Sequence, residues 1–203
     1  TEKFSPDLAA RRRLRAAWGI QEEEILIGHV GRLDPMKDHP TFLRAAAALA
    51  RERERLRFVC IGDGSAPYRE ELHALGRQLG LEHCLIWAGP RSDMPAVQNA
   101  LDIAVSSSIG EGFPNVIGEA MACGVPCVVT DVGDSAWIVG ETGIVVPSSN
   151  PDALANGLRK LLDADRSTHA QQVRGRIVEN FGIRRLSQST EQLLDALCRL
   201  GKT

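Results

Sequence analysis

The sequence predicts a doubly wound, parallel α/β domain of Rossmann-like type, and two observations carry that expectation. Short β-branched runs alternate with longer stretches of helical pattern, the arrangement of β-α-β units with helices on both faces of a sheet. The chain has 203 residues, 43% hydrophobic and 25% charged, enough for one well-buried core and near the upper end of ordinary domain size. A single domain over residues 1–203, with a sheet of about six strands and right-handed crossovers, is the economical solution.

Taken in order, the first apolar run, 25–30, is the first strand. It leaves through Gly31, and its loop ends at Asp38, a candidate N-cap for a helix over 40–53. A second strand at 57–61 exits through Gly62-Asp63-Gly64 into a helix over 67–79 that Pro67 is suited to start. The third strand, 84–88, precedes a helix over 94–100, and the fourth, 102–105, leads into the loop 106–114. A helix over 115–122 follows. Pro114 suits its first position, and Gly124-Val125-Pro126 ends it and hands the chain to the strand 127–130. A last strand at 144–146 and a helix over 151–162 complete the pattern. Residues 183–200 are helical in pattern with no strand after them, and Leu186, Leu193, Leu197 and Leu200 fall on one stripe. That stripe either covers its own sheet or faces a partner the chain does not contain.

Composition narrows the function. A net charge of −2 gives no general electrostatic reason to bind nucleic acid or an anionic membrane. Three of the five cysteines, Cys60, Cys84 and Cys127, lie in or beside strand runs and read as reduced core residues of a cytoplasmic protein. The Cys123–Cys127 spacing suits no zinc site, so no metal is expected. No signal-peptide pattern is present, and no apolar run approaches the ~20 residues a membrane span needs. The chain begins Thr1-Glu2-Lys3-Phe4-Ser5-Pro6 without an initiator methionine, and a piece cut from a longer protein is expected.

In doubly wound sheets ligands bind beyond the carboxyl ends of the strands, which places chemistry in the loops 31–38, 62–66, 89–93, 106–114 and 131–134. Within Glu111-Gly112-Phe113-Pro114-Asn115-Val116-Ile117-Gly118-Glu119, two carboxylates bracket a turn and the start of a helix. Helical side chains lean toward the N-terminus, so Glu119 is expected to point back at the loop carrying Glu111, both converging on one site. In the first loop, Gly31, Arg32 and Lys37 approach a helix N-terminus, where free amides and a partial positive charge favour an anion. Lys37 is one of only four lysines, with Lys3, Lys160 and Lys202. Arg32 and Lys37 together suit a diphosphate held without a metal, each charge-assisted bond worth roughly 1.5–3 kcal/mol. Carboxylates beside a diphosphate would repel it, so Glu111 and Glu119 are assigned to neutral hydroxyls, a vicinal diol suiting a group that accepts twice.

Other features weigh less. Gly62-Asp63-Gly64 reads as a pocket wall, and the missing Gly-x-Gly-x-x-Gly in the first β-α turn counts against an NAD-dependent dehydrogenase. Asp163-Ala164-Asp165 sits in a charged helix end and reads as solvated. Leu200-Gly201-Lys202-Thr203 lacks the upstream glycine of a phosphate loop. His29 and His39 flank the first loop without a visible Ser or Cys nucleophile, while His73, His83 and His169 are expected at the surface.

As a set, Gly31-Arg32-Leu33 with Lys37, Gly62-Asp63-Gly64, and Glu111-Gly112-Phe113-Pro114-Asn115 running to Glu119-Ala120-Met121-Ala122-Cys123-Gly124-Val125-Pro126 closely resemble the C-terminal domain of retaining GT-B glycosyltransferases of family 4. The resemblance spans nearly the whole chain. It implies that Arg32 and Lys37 hold the diphosphate of a UDP-, GDP- or ADP-sugar and Glu119 the ribose hydroxyls. It implies further that Glu111 with Gly112, Phe113, Pro114 and Asn115 holds the transferred sugar, that Val116 belongs to the donor-binding residues, and that Arg91 lies near the base. It also implies no cofactor, an acceptor bound by a missing N-terminal domain, and a last helix over 183–200 that crosses toward that domain. Any membrane association, at the inner face, would then come through the missing half, and the fragment alone is expected to transfer almost nothing. Ser107-Ser108 stands where the family often has Pro-Ser, and Trp137 where it often has glutamate. A non-catalytic nucleotide-binding or oligomerisation module of the same fold remains the alternative.

Overall fold

The computed structural model describes the backbone of residues 2–200; the side chains of residues 166–168, 183, 184, 186, 189, 195–198 and 200 fall outside the description. In chain order the elements are α1 (Leu8–Ala17), β1 (Ile25–Val30), α2 (His39–Ala50), β2 (Leu56–Ile61), α3 (Ala66–Gln78), β3 (Leu85–Gly89), α4 (Met94–Ala100) and β4 (Ile103–Ser106). They continue as α5 (Asn115–Ala122), β5 (Cys127–Thr130), α6 (Ser135–Val139), β6 (Ile144–Val146), α7 (Pro151–Asp163), α8 (Arg166–Phe181) and α9 (Ile183–Leu200). The six strands form one sheet in the order β3-β2-β1-β4-β5-β6, with every paired neighbour parallel. The doubly wound architecture expected from the sequence is therefore the one observed.

Parallel strands need crossovers, and covering both faces with helices leaves a buried layer on each side. On one face, Leu26, Val59 and Val129 pack with Leu14 of α1, Val97 of α4, Met121 of α5, Ile138 of α6 and Val173 of α8. On the other, Ile27, Phe58 and Val128 pack with Phe42 of α2, Leu72 of α3 and Leu158 of α7. Successive residues of β1 point to opposite faces, so His29 shares Ile27's side, toward α2. Cys60, Cys84, Cys123 and Cys127 are free thiols in this core, and Cys198 lies outside the described side chains.

Three helices were not anticipated. α1 carries a stripe of only Ala10 and Leu14 beside a buried Arg15, α6 is a single short turn, and α8 buries little beyond Val173 and Ile177. Such thin stripes fall below what helical periodicity reveals. Pro114, expected at the first helical position, instead occupies the cap before Asn115. His73, expected at the surface, is half-buried and stacks on Trp87 with ring centroids 4.3 Å apart. His169 is likewise half-buried, its Nε2 2.8 Å from the Thr142 carbonyl oxygen. Leu193 on α9 is 61% exposed, so this member of the stripe does not cover the sheet. Leu186, Leu197, Leu200 and the segment 201–203 lie outside the described residues. Among the described residues no helix is long and apolar enough to cross a membrane.

Candidate active site at the strand-order reversal

The strand order reverses between β1 and β4, so the loops after these two strands diverge and leave a crevice at their carboxyl ends. Lys37 comes from the first loop and Glu111 from the second. Their side chains meet, Lys37 Nζ lying 2.5 Å from Glu111 Oε1, at 22% and 11% exposure. Ser108 Oγ donates to the same carboxylate oxygen at 2.7 Å. The cation expected at a diphosphate and the carboxylate expected at hydroxyls thus neutralise each other here.

The loops are tied to one another. Ser107 Oγ lies 3.0 Å from the Lys37 carbonyl oxygen and 2.9 Å from that of Asp38. The Ile109 amide donates to the Met36 carbonyl at 2.9 Å. Thr130 Oγ1, at the end of β5, donates to the Ser108 carbonyl at 2.6 Å. Asp38 adopts a left-handed conformation, φ 44° and ψ 52°, and accepts from the Thr41 amide, which caps α2 as expected.

Two glycines explain themselves by close approach. A Cβ on Gly62, whose φ is 144°, would overlap the Gly31 carbonyl oxygen, so the loop after β2 packs directly against the first loop. Gly133, at φ 52°, lies against the Glu111 and Gly112 carbonyls, and the Asp134 amide donates to the Gly112 oxygen at 3.0 Å. The loop after β5 thus fixes the backbone that carries Glu111.

His29 and His39 lie beneath the first loop. Both are buried, their ring centroids are 4.1 Å apart, and His29 Nε2 is 3.1 Å from the Lys37 carbonyl oxygen. Burial disfavours the charged imidazole and lowers the pKa of His29 to about 4 and of His39 to about 2.

Glu119 takes a different position from Glu111. It is half-buried on α5 and hydrogen-bonds Gln98 of α4; burial raises its pKa above the ordinary carboxylate value, with Lys3 opposing. It borders a cleft of about 870 Å³ with Phe113 and Asn115, across from Trp137, Arg176 and Phe181. Phe113, Trp137 and Phe181 form an aromatic trio with centroids 4.7–6.3 Å apart. Glu111 is not among the walls of that cleft. Glu119 thus borders this cleft, while Glu111 pairs with Lys37. No side chain caps α5, which leaves its first amides open to an acceptor group.

Arg32 is exposed beside the first loop. Arg91, after β3, is held by Asp93 through bonds of 2.8 and 2.6 Å and lies 5.9 Å from the Trp18 ring. Asp163, of the Asp163-Ala164-Asp165 stretch, bonds Arg53 at 2.7 Å on the surface. Ser107, Thr130 and Gly133 carry the site's scaffolding without having been singled out for it. Three serines, Ser106 ending the strand and Ser107 and Ser108 just after it, were the available signal, since buried hydroxyls need partners.

With this geometry in view, the comparison with known proteins is direct. A family model described as glycosyl transferases group 1 matches residues 24–164, well over half the chain. The chain belongs to the glycosyl transferases group 1 family. Its site residues Lys37 and Glu111 both fall inside the matched span. Among relatives of this family, a D-inositol 3-phosphate glycosyltransferase of Corynebacterium glutamicum is 35% identical over 175 residues, covering 82% of this chain and 42% of that protein. A GDP-mannose-dependent alpha-(1-6)-phosphatidylinositol monomannoside mannosyltransferase of Mycolicibacterium smegmatis is 32% identical over 187 residues, covering 87% of this chain and 48% of that protein. The crystal structure of Anabaena HepE in complex with UDP and glucose superimposes with a TM-score of 0.85 at 26% identity, covering 96% of this chain and 54% of that one. This group 1 chain thus spans about half the length of the relatives it matches.

Proposed function

We propose that this chain is the donor-binding half of a retaining, family 4 glycosyltransferase, taking a nucleoside diphosphate sugar and working with an N-terminal acceptor domain on the same full-length protein. The observation that carries the reading is the meeting of Lys37 and Glu111 at the strand-order reversal, one from each of the two loops that line the crevice. Two further supports come from relatives: HepE binds UDP and glucose, and the Mycolicibacterium enzyme is GDP-mannose-dependent.

In this reading the donor diphosphate approaches Lys37 and Arg32 and the uncapped amides of Asn115 and Val116 at the start of α5. Glu119 accepts from the ribose hydroxyls, and Arg91 reaches the base after exchanging Asp93 for it. Glu111, with Gly112, Phe113 and Pro114, positions the hexose. Breaking the anomeric carbon to phosphate oxygen bond builds negative charge on the leaving diphosphate, and Lys37 is placed to stabilise it. A nucleoside diphosphate leaves readily, so the reaction asks for no acid of the kind a glycosidase needs, and no metal enters it. Glu111 is a sugar-positioning residue here, its carboxylate freed as Lys37 turns to phosphate. Cleft closure against the acceptor domain completes the geometry, so the 203 residues alone bind donor and transfer almost nothing. The full-length protein works in the cytoplasm, with any contact to the inner membrane face made by its other half.

Calorimetry with UDP, GDP, ADP and their sugars tests the reading. Binding of one nucleotide and its sugar, weakened by about 1.5–3 kcal/mol in Lys37→Ala, is expected. Absence of binding by all of them, or substantial sugar transfer by this chain alone, would overturn it.

A further inference from the structure

Two buried imidazoles beneath the candidate site have no task in the mechanism above. His29 Nδ1 and both ring nitrogens of His39 lack a hydrogen-bond partner, although His29 is 1% and His39 0% exposed. Unpaired buried polar groups work against stability, so two apolar residues of similar size would pack more favourably here. Among the described residues, the hydrogen bond that joins either ring to another residue is the one between His29 Nε2 and the Lys37 carbonyl oxygen, 3.1 Å apart. A carbonyl only accepts, so that nitrogen must carry the hydrogen, which selects the Nε2–H tautomer of a neutral ring.

The partner is well chosen. Lys37 supplies the ammonium that meets Glu111, and its carbonyl also faces Ser107 Oγ at 3.0 Å. A donor on β1 and a donor just after the end of β4 therefore grip one peptide from two sides of the crevice. The following residue, Asp38, sits in a left-handed conformation that an aspartate holds at some cost, so the turn needs such a grip. His39 packs against the His29 ring with centroids 4.1 Å apart, and the Phe42 centroid lies 5.5 Å away, so both rings restrict the imidazole's orientation.

We propose that His29, oriented by His39, is a positioning residue that holds the Lys37 peptide through an Nε2–H donor, so that the lysine ammonium is presented to the diphosphate of the donor. The ligand part of this inference rests on the function proposed above; the tautomer and the grip on Lys37 do not. The two rings stay uncharged at neutral pH, which keeps a second positive charge from crowding Lys37.

The variants that test it exploit side-chain length. In His29→Gln the amide nitrogen falls near the position of Nε2 and keeps a donor; in His29→Asn the amide falls near Nδ1 and cannot reach. Long-range proton–nitrogen correlation spectra of the wild-type chain should show His29 as the Nε2–H tautomer at pH 7. The Lys37 carbonyl carbon and Asp38 amide nitrogen resonances should shift in His29→Asn and stay close to wild type in His29→Gln. Nucleotide affinity by calorimetry should fall about tenfold in the Asn variant, the size of one hydrogen bond, and recover in the Gln variant at comparable thermal stability. An Nδ1–H tautomer in the wild type, or Asn and Gln variants equal in shifts and affinity, would overturn the proposal. A wild-type chain that binds no nucleotide would remove the function proposed above, while the tautomer and the Lys37 shifts would still decide whether His29 grips the loop.

Discussion

Two carboxylates in this molecule are equally sheltered, Asp102 and Glu111, each with an 11% exposed side chain, and they sit at opposite ends of the sheet. Asp102 precedes β4 and takes Arg11 at 2.7 Å, Arg15 at 2.8 Å and the Leu26 amide at 2.8 Å. Its cations are saturated in turn: Arg15 also donates to the carbonyls of Ala100, Gln21 and Glu24, and Arg11 to those of Asn99, Ala100 and Leu101. Glu111 follows β4 and takes one ammonium and one hydroxyl. Among the described residues the Lys37 ammonium meets only Glu111, and it retains some exposure. Burial alone does not distinguish the two clusters. The number of competing partners does: the first is built to stay, closing α1 onto the base of the sheet, and the second is built to exchange.

The largest expected effect lies at the base. Asp102→Ala leaves the Arg15 guanidinium, 7% exposed, without its counter-ion and should lower unfolding free energy by about 3–5 kcal/mol in urea titrations. A loss below about 1 kcal/mol would place it with ordinary surface pairs and erase the contrast.

Next comes acid. The folded-state pKa values of His29, about 4, and His39, about 2, lie below the ordinary 6.5, so the native state binds fewer protons than the unfolded chain. Stability from this source is complete above 6.5 and declines as pH falls toward 4, by about 1.4 kcal/mol per pH unit for each imidazole. Unfolding midpoints between pH 6.5 and 5 should follow that slope, and His29→Gln should roughly halve it. A flat profile would mean the rings find protons or partners that the fold denies them.

Lys37→Ala reverses the pattern of Asp102→Ala. Nucleotide affinity should drop by about 1.5–3 kcal/mol, while folding stability changes by less than about 1 kcal/mol because the pair it breaks is single and partly solvated. Equal losses in stability and affinity would make Lys37 a structural residue. Glu111→Ala should matter least for the bare nucleotide, under about threefold, with a greater loss for the nucleotide sugar. An effect on UDP, GDP or ADP as large as that of Lys37→Ala would move Glu111 from the sugar to the phosphates.

Much of this was legible in the chain itself. Ile25–Val30, Cys127–Thr130, Met94–Ala100 and Asn115–Ala122 were read with the bounds observed, because strong runs there are bounded by glycine and proline. The loops that matter followed from the rule that ligands bind at the carboxyl ends of strands. α1 and α8 were invisible because the buried apolar residues among the described side chains are few, Ala10 and Leu14 in the first and Val173 and Ile177 in the second, set among polar and charged residues. The Lys37–Glu111 contact was also invisible, since the two residues stand far apart in sequence and each has a plausible separate task.

The sequence by itself determined the alternation of strands and helices, the family, and the residue types at the crevice, because periodicity, turn chemistry and motif order are local properties. Only the tertiary structure decided the partners. The order β3-β2-β1-β4-β5-β6 brings the end of β1 beside the end of β4, so Lys37 meets Glu111, Ser107 meets the Lys37 carbonyl, and His29 comes to lie beneath both. Pairings of that kind depend on which strands are neighbours, which no stretch of the chain encodes alone.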